Sequence, residues 1–206
     1  MNIFSGIYNW AIDGLRRSIG VQMPMPNSYA TASASPVTYD SAMQLSAVWA
    51  CVKLLSETAA SLPLTVYTKN EQGRVEAKLH PLSILFNGKV NRYQTKNEFF
   101  ESVFLNLIVH GNAFVLIDKL GDRIVSLLPL MSSQIVVSML SDGELVYQYT
   151  KEDGSVVILS SARVWHLKLM GNGTIGMSPL AYQRNSLGIA QAAESAVTKI
   201  YSNGAK

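Results

Sequence analysis

A chain of 206 residues that is 48% hydrophobic and 15% charged carries enough apolar surface for a real core, which excludes disorder of the whole chain. The formal charge of +3 is spread over 17 basic and 14 acidic residues with no basic block, unlike the stripe of a protein that grips DNA phosphates by itself. The longest mainly apolar stretch, residues 103–117, is interrupted by Asn106, His110, Gly111 and Asn112 and falls short of the ~20 apolar residues that cross a bilayer.

Near the start, Ile3, Phe4, Ile7, Trp10, Ala11 and Leu15 recur at helical spacing and predict a short amphipathic helix that docks on something. Its polar side holds Asp13 beside Arg16 and Arg17, the only adjacent basic pair, which is a poor match to a membrane-surface helix. The first residues lack a basic start followed by an uninterrupted apolar segment, so the expectation is cytoplasmic synthesis with no secretory signal. Residues 21–36 shift to Pro, Ser, Ala, Met and Asn without periodicity and read as a flexible connector. The expected organisation is therefore an arm and linker over 1–36 and a domain over 37–206.

Apolar periodicity returns over residues 39–61, with Val48, Cys51, Leu55, Ala59 and Leu62 on one face and Pro63 as the stop. The single cysteine, Cys51, is expected as a small buried hydrophobe in a reducing compartment. Segments 64–69 and 74–78 flank a turn-forming cluster at 70–73 and predict a hairpin. His80 and Pro81 open a short helical segment, and Thr95 with Glu98 has capping-box spacing before a helix that Gly111 ends. From there the period is that of strands, at 113–119, 124–128, 135–139, 144–150, 155–159 and 164–169. Turn pairs Gly121-Asp122, Asp142-Gly143 and Asp153-Gly154 favour antiparallel hairpins. A long helix starts with Ser178 as N-cap and Pro179 in its first turn and runs on through Leu187, Ala190, Ala193, Val197 and Ile200. The fold class is α+β, helices packed around antiparallel strands.

Few residues invite a chemical reading. Gly171-Asn172-Gly173-Thr174-Ile175-Gly176 matches G-x-G-x-x-G between a strand and a helix, the order a dinucleotide fold requires. Its alternative is a flexible loop before a capped helix, because the second parallel strand and its acidic residue do not follow. Gly176-Met177-Ser178-Pro179-Leu180 departs from a hydrolase elbow at Leu180 and Pro179. His80, His110 and His166 are scattered, without partners at metal-ligand spacing; in a strand between Trp165 and Leu167, His166 is expected as a hydrogen-bonded structural imidazole. No metal and no cofactor is called for.

A resemblance emerges from collinear short segments: 45–52 (Leu-Ser-Ala-Val-Trp-Ala-Cys-Val), 60–64 (Ala-Ser-Leu-Pro-Leu), His80-Pro81-Leu82, Gly111-Asn112-Ala113-Phe114, Leu128-Pro129-Leu130, Val164-Trp165-His166-Leu167, Gly176-Met177-Ser178-Pro179-Leu180 and Tyr201-Ser202-Asn203-Gly204-Ala205. In this order they resemble the portal proteins of tailed bacteriophages over 37–206. One departure is Val90 before Asn91, where the family commonly has Pro.

The resemblance implies a wing-like region that in family members continues into a stem and clip. It implies a homo-oligomeric ring, usually a dodecamer, at one capsid vertex of the virion, assembled in the host cytoplasm. Implied partners are the terminase large subunit, the major capsid and scaffolding proteins, a head-tail adaptor and double-stranded DNA in the channel, with no membrane, no cofactor and no catalysis of its own. The family-motif positions it marks, mainly structural, are Trp49, Cys51, Pro63, His80, Pro81, Gly111, Asn112, Pro129, His166, Gly176, Ser178, Pro179, Asn203 and Gly204. Phe4, Trp10, Arg16 and Arg17 are candidate contacts to a neighbouring subunit or the capsid. Two alternatives stand beside it: an isolated portal fragment, either prophage remnant or interfering short form, that binds portal subunits; and a nucleotide-binding oxidoreductase fragment carried by residues 171–176.

Overall fold

A computed structural model describes residues 28–29, 37–71 and 73–204. Strands β1 (Ser28–Tyr29) and β2 (Val37–Thr38) pair antiparallel, Ser28 opposite Thr38, so the stretch expected as a connector is held to the domain at that point. Thr38 then caps helix α1 (Tyr39–Met43): its hydroxyl accepts from the Ser41 N–H while the Ser41 hydroxyl accepts from the Thr38 N–H.

Where periodicity predicts one helix over 39–61, the chain breaks at Gln44 and Leu45 and a separate helix, α2 (Ser46–Ser61), follows. The buried face of α2 also differs from the expected one. Val52, Ser56 and Ala60 are buried, whereas Cys51, Leu55 and Leu62 are exposed, so Cys51 is an exposed free thiol and not a core residue. The cause is compositional: Val48, Trp49, Cys51, Val52, Leu54 and Leu55 surround the helix with apolar groups, and a 3.6-residue period then fits more than one face. Ser56 can sit inside because its hydroxyl donates back to the Val52 carbonyl at 2.8 Å. The helix ends with Leu62 extended, the conformation that a following Pro63 favours.

An exposed hairpin, β3 (Tyr67–Asn70) and β4 (Gly73–Glu76), leads to α3 (Pro81–Asn87), where the His80 Nδ1 accepts from the Leu82 N–H. Helix α4 (Lys96–His110) carries the expected Thr95/Glu98 capping box and stops at Gly111, whose φ of 73° is left-handed.

Next come β5 (Asn112–Leu120), β6 (Arg123–Leu130), β7 (Ile135–Met139), β8 (Leu145–Thr150), β9 (Val156–Ser160) and β10 (Val164–Lys168). They form two antiparallel sheets, β10-β5-β6 and β7-β8-β9, with short 3-10 turns at Ser132–Gln134 and Ser161–Arg163 carrying the chain between them. Alternation along the central strand β5 sets the layers. Ala113 and Val115 join Val90, Phe99, Phe100, Val103 and Leu127 on the helical side; Phe114 joins Ile135, Val137, Tyr147 and Leu159 against the second sheet. Burial on both faces explains why β5 reads as a continuous apolar run. The apolar stretch 103–117 is thus the end of a helix and the start of a strand, divided at Gly111.

The last element, α5 (Pro179–Ser202), has Ser178 as N-cap and Pro179 in its first turn, and its Gln191 side chain donates to the Ser41 hydroxyl at 3.0 Å. The fold is α+β as the patterning predicts, with the antiparallel pairing divided, among the described residues, into four small sheets. Among the described residues, no helix is long and apolar enough to cross a membrane.

Candidate functional site

Several motifs far apart in sequence meet where α4 ends, β5 and β10 begin and end, and α5 starts. At the centre is Asn112, fully buried at 0% exposure. Its Nδ2 donates to the carbonyls of His110 (3.1 Å) and Gly176 (2.8 Å), and its Oδ1 accepts from the Gly176 N–H at 2.8 Å. The same oxygen lies 3.0 Å from His166 Nε2. Because Gly176 fixes which amide atom is the oxygen, His166 donates from Nε2, and its Nδ1 is left to accept the Tyr147 hydroxyl at 3.3 Å. One neutral tautomer satisfies every partner.

The surroundings enforce that charge state. His166 stacks on Phe114 at 4.3 Å between ring centroids and meets Tyr147 edge-on. Burial, assisted by the Lys168 charge, pulls the imidazole down to about 4. Burial likewise raises the Tyr147 hydroxyl above its ordinary value and lowers His110 below its own.

Backbones cross here too closely for side chains. A Cβ on Gly111 would overlap the Met177 carbonyl, and one on Gly176 would overlap the Gly111 carbonyl. The Leu169 N–H donates to the Gly111 carbonyl at 2.9 Å, and the Ser178 hydroxyl donates to the Val109 carbonyl at 2.8 Å while accepting from the Ala181 N–H. Ser178 therefore caps α5 and fastens it to the last turn of α4. The polar atoms of this node are spent on one another, so what it can do is hold two helices and a sheet in one geometry.

Gly171 to Gly176 is the loop before a capped helix that the sequence leads one to expect, and it is closed by its own hydrogen bonds. Gly171 and Gly176 form an antiparallel bridge, the Met177 N–H donates to the Met170 carbonyl at 2.8 Å, and Asn172 Oδ1 accepts from the N–H groups of Thr174 and Ile175. The strand before it, β10, is antiparallel to its neighbour, which removes the parallel β-α-β setting that the nucleotide reading needs.

Other positions singled out from sequence stay outside the node. Trp49 and Cys51 lie exposed on α2; Pro63, His80 and Pro81 stand at helix ends; Pro129 sits in the edge strand β6 opposite Val115; Asn203 caps α5 and Gly204 follows with φ of 71°. Phe4, Trp10, Arg16 and Arg17 lie outside the described residues. Among the described residues, no group of three or more His, Cys, Asp or Glu could hold a metal ion.

Sequence reasoning passed over Tyr147 and over Ser132, whose hydroxyl donates to the Asn112 carbonyl at 2.8 Å and whose N–H donates to Asn106 Oδ1. Ser132 opens a polar run, Ser132-Ser133-Gln134, before an apolar strand, so nothing local singles it out. At the departure noted above, Val90 is fully buried and its N–H donates to the Gln94 carbonyl at 3.0 Å, a bond proline could not make. Asn91 organises the loop, its Oδ1 accepting from the N–H groups of Tyr93 and Gln94 and its Nδ2 donating to the Leu127 carbonyl.

All four corners of the node, Asn112, His166, Gly176 and Ser178, fall inside residues 46–206, which match the model of the phage portal protein family. The chain belongs to that family. Over 177 residues it is 36% identical to the portal protein of Enterobacteria phage HK97, covering 84% of this chain and 41% of that protein. Over 184 residues it is 34% identical to the probable portal protein of Streptomyces phage phiC31, covering 84% of this chain and 40% of that one. The chain spans less than half the length of either relative. Among solved structures, the neck of an empty gene transfer agent particle, computed with C6 symmetry, matches with a TM-score of 0.73 at 20% identity, over 92% of this chain and 50% of that one. The neck of the native particle, computed with C12 symmetry, matches at 0.65 with 18% identity, over 93% of this chain and 49% of that one. At such identities the likeness is one of fold alone.

Proposed function

We propose that this chain is part of the subunit of a portal ring at one capsid vertex of a virion, where the ring forms the DNA entry and exit channel, docks the terminase and connects head to tail. The observation that carries this reading is the family match over residues 46–206. A closed ring of identical subunits needs two different complementary surfaces on each copy. On α5, Tyr182, Ile189, Val197 and Ile200 are 68%, 66%, 51% and 57% exposed and fall on one stripe at helical spacing, which suits one of those surfaces.

In this reading the subunit works mechanically. The buried node keeps α5 at a fixed angle to the sheets, so load passed along the helix reaches the wing without hinge motion at Ser178. The chain supplies no chemical step, and ATP hydrolysis belongs to the terminase. Native mass spectrometry of the complete protein carrying this chain is the test. A closed ring is expected, and Ile189→Asp with Ile200→Asp should return monomers with an unchanged circular dichroism spectrum. A monomeric wild-type protein at micromolar concentration overturns the reading.

A further inference from the structure

A groove of about 310 Å3 opens between α1, α2 and α4. Its apolar wall is built from Tyr39, Trp49, Val52 and Leu105, and Trp49 is 56% exposed. Its border is acidic: Glu57, Glu98 and Glu101 against a single Lys53, which pairs with Glu57 at 3.8 Å. An aromatic-walled slot with one sign of charge on its border suits a short amphipathic helix of the opposite sign.

The N-terminal segment has that chemistry. Ile3, Phe4, Ile7, Trp10, Ala11 and Leu15 share one helical face, and Arg16 and Arg17 outnumber Asp13. Its tether is anchored beside the slot: Ser28 pairs with Thr38, and the next residue, Tyr39, is part of the wall. Residues 18–27 supply ten residues of chain, up to ~33 Å when extended, which is ample to turn back from Ser28.

We propose that residues 3–17 dock as a helix in the groove of their own chain, Trp10 and Phe4 against Trp49 and Tyr39, with Arg16 and Arg17 toward Glu98 and Glu101. The occupant is this chain's own arm and not a neighbour's, because the anchor point lies one residue from the groove. The proposal does not depend on ring formation.

Hydrogen exchange on the 206-residue chain tests it. Amides of residues 3–15 should exchange at least about tenfold more slowly than in an unstructured chain, and Trp49→Ala should abolish that protection. A photoreactive phenylalanine analogue at position 4 should cross-link within one chain to peptides of α2 or α4. Unprotected amides in the wild type, protection that Trp49→Ala leaves unchanged, or cross-links only between chains or to other surfaces would each overturn it.

Discussion

Asn112 and His166 meet across 54 residues of sequence, the amide oxygen of one 3.0 Å from the Nε2 of the other, at the point where the start of β5, its neighbour β10 and the segment leading into α5 are tied together. Replacing Asn112 by Ala leaves the Gly176 N–H and carbonyl, the His110 carbonyl and the His166 Nε2–H without their partner inside the protein. The expected loss is about 3 kcal/mol or more, read as a fall in the urea midpoint without change in slope. In a double-mutant cycle with His166→Ala, the two losses should be non-additive by about 1 kcal/mol or more.

The pH dependence follows from the neutral imidazole. His166 is pulled down to about 4 in the fold and has an ordinary value of about 6.5 when unfolded. Between those values the unfolded chain binds a proton that the folded chain refuses, so stability falls as pH drops through that window and is fully present above it. His110, also lowered by burial, acts with the same sign. Thermal midpoints measured from pH 7 to 4 should fall, and His166→Gln should flatten part of that slope; an identical slope in the variant would remove His166 from the account.

Glycine substitutions should separate crowding from turn geometry. Gly154 has φ of 78° with open space around it, whereas Gly111 has φ of 73° and would drive a Cβ into the Met177 carbonyl. Both alanine variants carry the left-handed cost of roughly 1–2 kcal/mol. Gly111→Ala should exceed Gly154→Ala by about 2 kcal/mol or more, because backbone must move. Equal losses in chemical denaturation would mean that the close crossing at Gly111 is not rigid.

Ser178 joins two helices with one hydroxyl. Ser178→Ala removes both the cap on Ala181 and the bond to the Val109 carbonyl, for an expected loss of about 1–2 kcal/mol. Ser178→Thr, which keeps the hydroxyl, should recover most of it.

Local signals made much of this fold legible. The Thr95/Glu98 box, the Ser178-Pro179 start, the Gly111 stop and the paired turn residues each act through neighbours in the chain, so they survive without knowledge of the fold. The registry of α2 did not, because a helix apolar on most sides gives no single phase, and Cys51 was misplaced with it. The node was visible only as separate motifs: His166 was read as structural, but nothing local pairs it with Asn112 or Tyr147. Residues 171–176 were legible as a loop because no second parallel strand follows them, but the close backbone crossings that their glycines serve at Gly171 and Gly176 were not, since the crossing partners are distant or depend on the folded loop.

The central claim is a place in a particle. Electron cryo-microscopy of particles made by the genome that encodes this chain, reconstructed without imposed symmetry and with a tag marking the chain, tests it most directly. The account predicts tagged density as a ring at one vertex only, around the DNA path. Particles lacking the chain, or carrying it at every vertex, would contradict it.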